Sequence, residues 1–128
     1  MNDDKAQKLI DRMRSERGYL LPEWALMAKQ DPDYMEAYDE LYKHTMTKEK
    51  HLPIKVKELV AIVGLSARGE EEGIEAHINR AIRHGATVGE IVEALQVGVV
   101  TTGTPTMFYG LKVLRRILEA KEELKDRV

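Results

Sequence analysis

The chain contains four histidines and no cysteine. Thiolate nucleophiles, redox thiols and thiolate metal sites are therefore excluded together. The chemistry left to it centres on "ARGEEEGIEAHINRAIRHGAT", residues 67–87, where His77 stands in the middle of a helical pattern. Glu70, Gly73, Ile74 and His77 are spaced to line one face of that helix. Glu58 lies one helix earlier, and the short turn between the two predicts an antiparallel pair. A carboxylate and an imidazole can then meet across the helices. Such contact fixes the tautomer of the ring and favours its protonated form, which is a general acid/base arrangement. An acid/base site acting on a small anion would need an anchor for its charge, an apolar surround and a proton donor. His77 can serve as donor and Glu58 as its partner. Arg80, Lys55 and Arg68 can each supply the anchor, and spacing does not choose among them. Gly73 is expected to leave room for a small ligand beside the backbone.

Each of these residues also has a plainer reading. His77 can be a core histidine satisfied by its neighbours, and Glu58 can pair with a lysine. Glu70, Glu71 and Glu72 complement the positive end of a helix dipole. Glu58, Glu70 and His77 together resemble a carboxylate–imidazole metal set, yet the Glu-x-x-His repeat of di-metal bundles is missing. No metal and no cofactor are expected. His44 and His51 flank a polar connection, and His84 sits at a helix C-terminus.

The elements that must position these groups are all helical; no sustained strand alternation occurs. The first helix spans about residues 4–17, with Ala6, Leu9, Ile10 and Met13 on one face. Pro22 opens a short second helix carrying Trp24, Leu26 and Met27. Asp31 and Pro32 start a third, with a stripe of Tyr34, Met35, Tyr38, Leu41 and Tyr42. "LPIKVKELVAIVGLSARG" is a fourth, apolar nearly all round and therefore central. Gly69 ends it. The helix of His77 is the fifth, stopped by Gly85. Thr87 and Glu90 form a capping box for a sixth, and Gly103–Pro105 breaks the chain before a seventh. One all-α domain over residues 1–128 is expected, with N-terminal helices over 4–47.

The chain has 128 residues, 43% of them hydrophobic and 33% charged, with a formal net charge of -2. Acids and bases are interleaved, so there is no basic block to cover phosphates, and nucleic acid is not an expected partner. No apolar run approaches the ~20 residues of a membrane helix. No signal peptide is visible, and a cytoplasmic location is the default expectation.

From the fourth helix onward the order of features becomes specific. The stretch "LPIKVKELVAIVGLSARGEEEGIEAHINRAIRHGATVGEIVEALQVGVVTTGTP" resembles the carboxymuconolactone decarboxylase family, which includes the alkylhydroperoxidase D branch. The resemblance covers about residues 50–120. It implies an all-α bundle that assembles as a homo-oligomer, such as a trimer or hexamer. In the peroxidase branch a glutamate is followed by Cys-x-x-Cys, three residues and a histidine. On this chain the glutamate falls on Glu58 and the histidine on His77, while the cysteine positions fall on Glu70 and Gly73. Peroxide reduction would need a thiolate to attack and a second thiol to resolve. That activity is expected to be absent. The decarboxylase branch lacks the cysteines as well, so the resemblance implies an acid/base lyase acting on a small lactone or organic acid. A non-catalytic binding or assembly protein on the same scaffold is the rival reading, and a metal-dependent enzyme a third.

Overall fold

Prolines and polar caps set where the helices begin. In a computed structural model describing residues 2–127, with side chains for residues 3–123, the elements are α1 (Asn2–Arg17), α2 (Pro22–Gln30), α3 (Pro32–Tyr42), α4 (Ile54–Arg68), α5 (Glu71–Arg83), α6 (Val88–Thr102) and α7 (Thr104–Arg127). No strand occurs among the described residues. The expected all-α class holds, as do the proline starts of α2 and α3. Asp31 caps α3 by accepting the Tyr34 amide at 3.1 Å. The Thr87–Glu90 box is present in both directions, at 2.9 and 3.0 Å. Its Glu90 carboxyl is held below the ordinary value, first by the Thr87 backbone N–H and next by Lys55.

The chain divides into two compact units, Met1–Glu49 and Lys50–Val128. In the first, α1, α2 and α3 enclose Leu9, Ile10, Met13, Ala28 and Met35, with Trp24, Ala25 and Tyr38 packed against them. Two stripes differ from their sequence pattern. In α2 the inward residues are Trp24, Ala25 and Ala28, whereas Leu26 and Met27 are exposed. In α3 Tyr34 and Leu41 face solvent, and Asp39 takes an inward position beside Met35. After Tyr42 the chain continues as a π-helical turn, Lys43–Thr47. The hydroxyls of Thr45 and Thr47 donate to the carbonyls four residues back, each at 2.8 Å, a local competition that disturbs regular helix.

The second unit is built around α4, which packs against α5, α6 and α7, the central role its apolar sequence implied. The core holds Ile62 of α4, Ile74, Ile78 and Ala81 of α5, Ile91 and Leu95 of α6, and Val113, Leu114 and Ile117 of α7. Phe108 and Leu111 of α7 are exposed, because this helix turns Gly110, Val113 and Leu114 inward. Gly69 ends α4 in the left-handed region at φ 69°, with the Tyr109 ring 3.4 Å from where a Cβ would stand.

At Gly98 of α6, α4 and α7 both approach closely. A Cβ there would lie 2.7 Å from Val63 of α4 and 2.8 Å from Thr106 of α7. Both neighbours are β-branched and stiff at χ1. Overpacking of this kind costs about 1–3 kcal/mol, against a gain of up to about 1 kcal/mol from helix propensity. Gly98→Ala is thus expected to lower the urea midpoint with the m-value unchanged. An unaltered midpoint would show that α6 shifts freely to make room.

Candidate active site

The α4–α5 hairpin positions the candidate residues. Gly73 sits against Leu65, with a Cβ position 3.3 Å from its methyls, and Glu58 meets His77 and Arg80. These pairings are the register of an antiparallel helix pair. They place Glu58 one face in from solvent, at 0% exposure within α4. Its Oε2 lies 2.5 Å from His77 Nδ1. A carboxylate at that position makes Nδ1 the donor, fixing the tautomer of the neutral ring. Oε1 forms an ion pair with Arg80 Nη1 at 3.3 Å. The Arg80 side chain is 5% exposed and that of His77 12%, so all three groups are largely withdrawn from water.

The other residues singled out by spacing are placed elsewhere. Glu70 holds the N-cap position of α5 without a side-chain capping hydrogen bond, and its half-exposed carboxylate pairs with Arg68 at 3.4 Å. Lys55 is held by Glu90 at 2.9 Å. The space beside Gly73 is closed by Leu65. Of the three candidate cations, only Arg80 joins the Glu58–His77 pair. Among the described residues no three His, Asp or Glu side chains are grouped to hold a metal ion. Glu71, read as a dipole acid, ties α5 to α7 through Arg116 at 2.9 Å and Lys112 at 3.5 Å.

A broad apolar groove of about 1100 Å³ runs along α6 and α7, lined by residues that include Val88, Val92, Phe108, Leu111 and Leu118. Glu58, His77 and Arg80 do not line it.

A second buried charge lies in the first unit and was not singled out by sequence. Asp39 is 1% exposed; Arg17 donates to it at 2.8 Å and Arg12 at 3.3 Å, with Lys43 3.6 Å away. The Arg17 guanidinium also stacks 3.8 Å over the Tyr42 ring. This cluster joins α1 to α3.

An all-α chain carrying a buried carboxylate–imidazole pair across a helical hairpin is the class that fold and site define. The chain belongs to the carboxymuconolactone decarboxylase family, whose family model matches residues 32–116. The match begins at α3, earlier than the stretch that carried the resemblance. Two uncharacterized relatives are similar to it. One, from Cupriavidus necator, is 28% identical over 92 residues, covering 72% of this chain and 80% of the relative. The other, from Methanocaldococcus jannaschii, is 31% identical over 87 residues, covering 66% and 84%. A crystal structure from Burkholderia xenovorans LB400, provisionally named a carboxymuconolactone decarboxylase, has the same fold. Its TM-score is 0.82 at 24% identity, covering 100% of this chain and 99% of that one. Among the described residues no helix is long and apolar enough to cross a membrane.

Proposed function

We propose that the chain is an acid/base enzyme of the decarboxylase type, acting on a small lactone or organic acid through His77 and Glu58. The observation that carries this reading is the 2.5 Å contact between a fully buried carboxylate and an imidazole that keeps some access to solvent. With Nδ1 committed to Glu58, proton exchange with a ligand falls to Nε2. When the bond between the substrate carbon and its carboxylate breaks, CO2 departs and the electron pair remains on carbon. His77 then protonates that carbon from Nε2, while Glu58 holds the ring in place through Nδ1. Only side chains take part, so the reading needs no cofactor. Thiol peroxidase chemistry is not open to this cysteine-free chain.

Glu58→Gln and His77→Ala are each expected to lower turnover of small lactone acids by about 10²- to 10⁴-fold, the usual contribution of a positioned acid or base. Circular dichroism would verify that the fold is kept. Unchanged turnover in both folded variants would reject the assignment. Self-association belongs to the same reading. Its support is the apolar groove along α6 and α7 together with the exposed Val60, Val97, Val100 and Phe108, surface of the kind that another chain can cover. A trimer or hexamer in a cytoplasmic setting fits it.

A further inference from the structure

We propose that Arg80 is a positioning residue for His77, acting through the carboxylate of Glu58 and not as an anchor for a ligand anion. The proposal rests on the acid/base reading of the Glu58–His77 pair and deepens it. Glu58 offers two oxygens, and the structure sets a different group against each: His77 Nδ1 hydrogen-bonds with Oε2, and Arg80 Nη1 forms an ion pair with Oε1 at 3.3 Å without hydrogen-bond geometry. Both partners stand on α5, three residues apart and therefore on the same side of the helix. The carboxylate is thus gripped from one rigid element.

The geometry matters because the terminal torsion of a glutamate is broad and nearly two-fold. One contact fixes one oxygen and leaves the plane of the group free to swing. The Arg80 charge, 3.3 Å from the other oxygen, favours one plane, and with it the direction from which Oε2 meets the imidazole N–H. Arg80 also offsets the cost of withdrawing the carboxylate from water, and does so without occupying the oxygen that faces His77. A planar guanidinium suits this role better than an ammonium point charge. The competing assignment, an anion anchor, needs a cation turned toward a ligand. Arg80 is instead 5% exposed and turned toward Glu58.

The test reads the His77 ring directly in the ligand-free protein, by proton NMR of a sample with 15N-labelled histidine. The wild-type Nδ1–H is expected to give a downfield resonance that exchanges slowly with water. Arg80→Met should move that resonance upfield or broaden it away, and Arg80→Lys should restore it in part. A folded Arg80→Met protein with the resonance and its exchange rate unchanged would overturn the proposal. Should Arg80→Met not fold, Arg80→Gln, which keeps an uncharged polar end on a shorter side chain, carries the same reading with the same two outcomes. Because no substrate is involved, an unchanged resonance removes the role of Arg80 alone. Wild-type turnover in folded His77→Ala and Glu58→Gln variants would instead remove the acid/base reading itself.

Discussion

Glu58→Ala is expected to destabilise the protein by about 3–5 kcal/mol, the cost of breaking a buried ion pair by deleting one partner. The expectation follows from burial. Glu58 is 0% exposed and Arg80 4% exposed, so the guanidinium stays withdrawn from water after the carboxylate facing it is gone. The residual cavity adds a packing loss to the electrostatic one. Against a total stability of about 5–15 kcal/mol for a domain of this kind, the variant would sit close to unfolding at room temperature. Urea titration followed by circular dichroism measures it. Glu58→Gln keeps the shape and a carbonyl acceptor, and should fall between alanine and wild type. A Glu58→Ala protein within about 1 kcal/mol of wild type would mean that the pair is not buried as described.

The second large effect is expected at Asp39. Its carboxylate faces Arg17, itself 2% exposed in its side chain, and also Arg12 and Lys43. Asp39→Ala should cost about 3–5 kcal/mol by the same reasoning. Most of that cost comes from the cations left behind, so the order of variants is informative. Replacing Arg17 by Met and Asp39 by Leu together should recover a good part of the loss, because apolar residues of similar volume often substitute for a buried pair without penalty. Amide exchange in α1 and α3 is the direct measurement. Asp39→Ala should accelerate it in both helices, and the double variant should slow it again. Equal protection in wild type and Asp39→Ala would sink this account of how α1 and α3 are joined.

The contrast between these two carboxylates shows what the sequence can disclose. Glu58 stands out because an acid interrupts an apolar run, and its meeting with His77 follows from the short turn at Gly69. Neither step needs coordinates. Asp39 offers no such contrast. It lies among other acids, Asp33, Glu36 and Glu40, on a helix whose tyrosines already suggest a plausible inward stripe. With Tyr34 and Leu41 exposed, the buried Asp39 meets Arg17, more than twenty positions away in the chain, at a distance that local periodicity does not register. Arg80 falls between the two cases. Its charge was evident, but Lys55 and Arg68 are cations of equal standing in the sequence. The choice was made by Glu90 and Glu70, which engage those two and leave Arg80 on Glu58. Gly73 illustrates a different limit. A missing side chain signals space, but only the packing of Leu65 shows that the space is filled.

The carboxylate inside α4 also bears on the order in which the second unit assembles. An α4 packed early on α6 and α7 would have to bury Glu58 before any counter-charge arrived, at a cost of several kcal/mol. With α5 already folded back, Arg80 and His77 accompany the carboxylate inward and the penalty is offset as it arises. Pairing α4 with α5 is therefore the least costly way to bury Glu58, even though α4 also contacts α6 and α7. A single acid in an apolar helix in this way makes burial of α4 depend on the one helix that carries its counter-charge.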